Sequence, residues 1–495
     1  MPGVTPGTNF KDQGDSMKKG RSLATGAFVA LALLAGACSS DSADTTAAPE
    51  TEAAVETEAA VETEAPAETE AAAETEAAAE TVAAVAAAGP GTAGGTIKCE
   101  NQYAGKTVKI LSPNDTQSDI ANFGAAWAPF EKCTGVKIEW EGTKTFEADV
   151  KLRLAGGNAP DVIDFPQPGL MAQNAAGLKE LPADIAADLG KNFLGGWLGY
   201  ATVDGKVIGS PFRQNFKSFV WYSPKMFADK GYTVPESLTD LIALSDKIVA
   251  DGGTPWCAGI ESGAATGWVV TDWVEDMMLR LNSPEDYDAW VNHTLPFSDP
   301  KVKAAVDAVG AILKNEKYVG NVKAIATTRF QDGGLPILDG KCFMHRQANF
   351  YKSNWPEGTT FGDEGAVSAF YLPVAKVGDP KVMLGGGDIN SATNDKPETF
   401  DTIRFLASKE WADATAANMG NFSPRTDYDT SLLPDAFDQK FANIGKEAAV
   451  FRFDASDLMP GSVGAGSFWK EATAWIVGGS TDNMLANIDK SWPAS

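Results

Sequence analysis

The sequence predicts an α/β fold in which mainly parallel sheets carry helices on both faces. Three observations carry this expectation. Short apolar runs of strand length recur, each is followed by a stretch with helical spacing, and 495 residues at 44% hydrophobic content suffice for a large core in two or three domains.

Taken in order, TVKIL (107–111) reads as a strand, a helical stretch runs through WAPF (127–130), and GVKIEW (135–140) is a second strand. The segment 146–154 again has helical spacing, and DVIDF (161–165) is a short buried strand that stops at PQPG. In such sheets ligands sit beyond the carboxyl ends of strands, which places SPNDTQ (112–117) and PQPG (166–169) on one rim. DGKVIGSPF (204–212) turns and extends, SFVWY (218–222) is another apolar strand, and 223–252 reads as helix, turn, helix. GIESGAATGWVVTDW (259–273) begins as a run of small residues; a helix N-terminus near Thr271 is expected to face it, and apolar spacing continues through Leu281.

The amino-terminal region has a different composition. Met17, Lys18, Lys19 and Arg21 precede an apolar run ending in LAGAC, so 17–37 reads as an export signal. LAGAC resembles a bacterial lipobox, which would attach lipid to Cys38. Residues 38–97 contain the hexapeptide ETEAAV and its variants from Glu50 onward, with thirteen acids and no base after Ser39. A stretch with so little to bury cannot offset its ordering entropy and is read as a self-repelling tether. The whole chain carries a net charge of −25, which argues against a nucleic-acid partner. His293 and His345 form no zinc spacing, so no metal site and no cofactor are expected.

Between 106 and 492 the chain carries a series of longer motifs: GGNAPDVIDFPQPG, PWCAGIESGAATGW, TDWVEDMMLR, KCFMHRQANF, LGGGDIN and FRFDASDLMP. In this order they resemble the extracellular solute-binding proteins of bacterial ABC transporters, specifically the carbohydrate-binding, alpha-glucoside-binding branch. The resemblance implies a two-lobe periplasmic-binding-protein fold of type II, each lobe a mainly parallel sheet flanked by helices, joined by hinge strands. Carried onto this chain, one lobe takes 98–212 and 386–422 and the other 213–385 and 423–495, with a crossing near LGGGD (384–388). Of three possible pairings of the remaining cysteines, Cys99 with Cys133 and Cys257 with Cys342 is expected, since each then closes within one lobe; free buried thiols are the alternative.

The resemblance also implies a monomeric carrier that captures an alpha-glucoside or related oligosaccharide by hinge closure and presents it to permease subunits, without catalysis. A sugar has C–H faces that pack on aromatic rings and hydroxyls that need paired donors and acceptors. The candidate contacts are Asp115 and Gln167 from the first lobe, Glu261 and Trp268 from the second, Arg346 and Gln347 beside Cys342, Asp388 at the hinge, and Arg452, Asp454 and Trp469. Each has a plainer reading: a turn role for Asp115 and Gln167, a structural ion pair for Arg452 and Asp454, and core packing for Trp469. His345 is read as a packing or hydrogen-bonding residue. A secreted glycoside hydrolase, using two spaced carboxylates, and a tethered adhesin or peptide-binding protein are the competing functions.

Overall fold

The computed structural model describes residues 97–493. The export signal, Cys38 and the acidic tether therefore lie outside the described residues. Within them, no helix is long and apolar enough to cross a membrane.

The first lobe starts with strands β1 (Thr107–Ser112), β2 (Lys137–Gly142) and β3 (Val162–Phe165), all parallel to one another. Alternation along β1 divides its side chains between two cores. Val108 and Ile110 join Phe123, Trp127 and Phe130 of helix α1 (Gln117–Thr134), while Leu111 meets Phe146 and Val150 of helix α2 (Phe146–Gly156). The Thr116 hydroxyl caps α1 by accepting from the Asp119 amide, and Gly135, at φ 78°, ends it in a left-handed turn.

A small hairpin follows, β4 (Thr202–Val203) and β5 (Lys206–Val207), turning through Asp204 and Gly205 at φ 50° and 76°. The chain then leaves the lobe along β6 (Ser210–Phe216) and β7 (Phe219–Tyr222). It returns along β10 (Val382–Ala392), whose eleven residues are all buried. β10 runs antiparallel to both β6 and β3 and parallel to β11 (Val450–Phe453), giving the order β11-β10-β3-β1-β2 with β6 also on β10. The LGGGD glycines lie inside this strand. A Cβ at Gly385 would come within 2.8 Å of the Asn215 carbonyl oxygen, so close backbone approach explains the choice of residue there.

Opposite Asp388 and Ile389 the register slips: Asp388 faces Arg213, whereas Ile389 faces Pro211, leaving Phe212 as the extra residue. Pro211 has no N–H to contribute to the ladder, which suits it to this bulge.

The second lobe departs from expectation. Its sheet, β8-β7-β9 with β8 (Met344–Arg346) and β9 (Ser368–Tyr371), is antiparallel at both junctions. The mainly parallel description fits the larger sheet, where three of five pairings are parallel, and not this one, because β7, β8 and β9 come from distant segments that no βαβ crossover links. Helix α3 (Trp268–Leu281) covers this lobe's core, where Val270, Trp273, Val274 and Met277 pack against Val306 and Val309 of the helix Pro300–Leu313. Disulfides join Cys99 to Cys133 and Cys257 to Cys342.

Candidate functional site

A cavity of about 200 Å³ lies where the strand ends of the first lobe face α3 and the loops of the second. A smaller chamber of about 110 Å³ adjoins it, sharing Asn114, Glu147, Ser262 and Phe330. Both rim loops picked out by strand direction reach this space: Pro113, Asn114 and Thr116 after β1, and Pro166 and Gln167 after β3.

The floor of the cavity comes from the crossing strands. Arg213, Asn215 and Lys217 stand two apart along the extended run RQNFK, so period-two alternation turns all three to the same side. Arg213 pairs with Asp388 and donates to the Asn114 side-chain oxygen at 2.7 Å. The Lys217 ammonium bonds Asp454 at 2.5 Å and Asp272 at 3.0 Å, with Asp457 at 4.0 Å, and sits 5.5 Å over the Trp268 ring. Trp268 meets Phe330 edge-on at 5.1 Å between ring centres, and with Phe350 and Trp469 these rings make the second lobe's face of the cavity.

Behind Lys217 lies a buried polar network. Arg346 bonds Asp272 at 3.2 Å and Asp276 at 2.5 Å; Arg280 and the Ser218 hydroxyl each reach Asp276 at 2.6 Å. Five buried carboxyls (Asp272, Glu275, Asp276, Asp454, Asp457) thus surround three cations. Burial pushes Asp454 up, but Lys217 overrides it and holds the group below the usual carboxylate range. Burial prevails for Asp272, which stands at about 7, and lifts Glu275 and Asp457 well above the usual range. Oxygens of Asp272, Glu275 and Asp454 converge closely enough to suggest a metal. Lys217 and Arg346 already engage the two aspartates, and both Glu275 oxygens accept backbone amides from Ala455 and Ser456 at 3.1 Å. Protein donors therefore already meet the needs of that cluster.

Of the residues singled out from sequence, Gln167, Trp268, Asp388, Asp454 and Trp469 line the main cavity, and Asp115 and Glu261 line the adjoining chamber. Gln167 donates to Glu147 at 3.1 Å, and its own side-chain oxygen is buried without a protein partner. Burial pushes Glu147 above the usual carboxylate range. Asp115 is 3.9 Å from Lys144, and Glu261 accepts the Gly263 amide at 2.8 Å.

Arg346, Gln347 and Arg452 lie off the cavity wall. Arg346 is fully buried, and a desolvated guanidinium needs the two aspartates of α3 that it finds. Gln347 is buried beside it and accepts the Ala348 amide. Arg452 bonds Asp288 at 2.7 Å rather than Asp454, which belongs to Lys217. His345 bonds the Cys257 carbonyl at 3.0 Å, and burial lowers its pKa to about 4.

The helix start is also displaced from the expected Thr271. α3 begins at Trp268, after Gly267 at φ 119°, and Thr271 is buried with its hydroxyl on the Trp268 carbonyl. Gly267 is required twice, by its backbone angle and because a Cβ there would strike the Trp469 carbonyl.

Residues 112–413 match the model of the family described as "Bacterial extracellular solute-binding protein". The chain belongs to this family. It is 41% identical over 375 residues to the "Osmoprotective compounds-binding protein GgtB" of Synechocystis sp., covering 74% of this chain and 88% of the relative. It is 36% identical over 412 residues to the "Alpha-glucosides-binding periplasmic protein AglE" of Rhizobium meliloti, covering 80% and 89%. Among solved structures, it resembles a protein studied for xylan utilization in Caldanaerobius polysaccharolyticus, with TM-score 0.67, 17% identity and coverage of 78% and 99%. It also resembles maltose-bound MalE3 of T. maritima, with TM-score 0.60, 18% identity and coverage of 78% and 98%. These likenesses establish the two-lobe fold. This solute-binding protein is accordingly extracytoplasmic.

Sequence reading had missed Arg213, Lys217, Glu147, Asp457, Phe330 and Phe350. The signal for the first two was present: Arg213, Asn215 and Lys217 are polar or charged residues at every second position of an extended run flanked by Phe212 and Phe219.

Proposed function

We propose that this protein captures a sugar, an alpha-glucoside or a related oligosaccharide, between its two lobes and delivers it to the permease of an ABC importer. One observation carries the reading: a cavity between the lobes sets aromatic rings (Trp268, Phe330, Phe350, Trp469) against amides and carboxyls (Asn114, Gln167, Asn215, Asp388). Rings suit the C–H faces of a pyranose, and the polar groups suit its hydroxyls. The unpartnered Gln167 oxygen is placed to accept from a ligand hydroxyl. The relative named for alpha-glucosides supports that ligand class.

In this reading Gln167, Trp268, Asp388, Asp454 and Trp469 contact ligand in the main cavity, and Asp115 and Glu261 do so in the outer chamber. The lobes divide at 98–212 with 386–422, and at 213–385 with 423–495. Closure bends β6 and β10, and contacts made only in the closed form favour it. The protein acts as a monomer, is anchored through lipid on Cys38, and performs no catalysis.

The test is calorimetric titration of the purified protein with maltose, trehalose and longer alpha-linked glucosides. Affinity of about 1 μM or tighter, roughly −8 kcal/mol, is expected. Turnover of the sugar would mark a hydrolase, and stabilisation by peptides alone would overturn the ligand class.

A further inference from the structure

We propose that the main cavity selects ligands by charge, accepting uncharged sugars and rejecting anionic ones such as uronates and sugar phosphates. The inference deepens the sugar-binding reading and rests on it. Among the described residues, the cavity wall holds two cations, Arg213 and Lys217. Neither is free to meet an anion. Arg213 is paired with Asp388 and also donates to Asn114, while Lys217 is held by Asp454 and Asp272.

The same wall carries two more acids without a cation at hydrogen-bonding distance. Glu147 has Gln167 as its side-chain partner, and Asp457 has Lys217 only at 4.0 Å. A carboxylate or phosphate entering the cavity would lose its hydration, meet four acidic side chains, and find both cations committed. To recruit one it would have to break an ion pair and leave a buried aspartate unpaired. A neutral pyranose meets no such conflict, because its hydroxyls can donate to the carboxyl oxygens and accept from the amides.

The outer chamber differs. Lys144 and Arg329 line it, both well exposed and only loosely paired, to Asp115 at 3.9 Å and Asp332 at 4.0 Å. Rejection therefore belongs to the inner cavity, and short ligands that must enter it are the right probes.

The experiment compares methyl α-glucoside, methyl α-glucuronide and the isosteric glucuronamide, together with trehalose and trehalose 6-phosphate, by titration calorimetry on the intact protein. Each anion is expected to bind roughly 100-fold more weakly than its neutral counterpart, and the amide to behave as the neutral sugar. Asp388→Asn, which frees Arg213, and Asp454→Asn, which removes the carboxylate that holds Lys217, should each raise the ratio of anionic to neutral affinity by about tenfold; thermal unfolding confirms that each variant folds. Binding of the glucuronide within threefold of the glucoside would overturn the charge selection and leave sugar capture standing. An unchanged ratio in both variants would also overturn it. If no neutral sugar in the panel binds, the proposed function itself falls.

Discussion

Replacing Lys217 with methionine would remove the cation at the centre of the cleft while keeping most of its volume. The ammonium bonds Asp454 at 2.5 Å and Asp272 at 3.0 Å and has Asp457 at 4.0 Å, with all four side chains buried. Removing one partner of a buried pair costs about 3–5 kcal/mol, because a desolvated charge is left uncompensated. Here three carboxyls lose the same cation, so a loss at or above the upper end, about 5 kcal/mol, is expected. Partial relief comes from protonation, which sets the pH dependence. Without Lys217 the aspartates have folded pKa values raised above their unfolded ones, so the variant is least destabilised at low pH and loses stability as pH rises through those values. The assay is urea denaturation of both proteins at pH 5 and pH 8, with Asp454→Asn added to the variant. That second change should return at least about 1 kcal/mol by removing a stranded charge. A loss below about 1 kcal/mol, or no recovery in the double variant, would refute the account of the network.

Three further outcomes are expected. Trp268→Ala should weaken sugar binding by about 10- to 100-fold in titration calorimetry, as loss of an aromatic face in a buried site implies. Opening the Cys257–Cys342 disulfide, which spans 85 residues, should cost about 4.6 kcal/mol by chain entropy, against about 3.8 for the 34-residue Cys99–Cys133 span; Cys→Ser pairs compared by denaturation check the order. His345 has its pKa lowered from 6.5 to about 4 by burial, so the unfolded chain takes up a proton first as the medium is acidified. Stability should therefore fall by about 3 kcal/mol between pH 6.5 and 4, a component that His345→Gln would remove from the measured pH profile.

The first lobe was legible because its signals are local. TVKIL, GVKIEW and DVIDF each announce a strand, and the direction of a parallel sheet then places SPNDTQ and PQPG at one rim; both rim loops supply cavity residues. The second sheet was not legible, since β7, β8 and β9 pair across separations of more than a hundred residues and only tertiary packing decides their direction. A motif also marks a stretch without telling which way a side chain points. KCFMHRQANF contains Arg346 and Gln347, yet β8 aims the guanidinium at α3 and away from the cavity. Conversely, Arg213, Asn215 and Lys217 line the cavity through the period-two alternation of RQNFK, a signal present in the sequence that the motif comparison passed over.

The crossing strand β10 has a practical consequence for anyone engineering the molecule. It supplies ladder partners to β3, β6 and β11 at once, so neither lobe owns it. A gene split between the lobes would leave two fragments that each lack an edge of the same sheet, and neither would be a workable stand-alone product. A reporter domain belongs elsewhere. The exposed Asp204–Gly205 turn of the small hairpin, already at the left-handed backbone angles of a loop tip, offers an insertion point that leaves that shared strand whole.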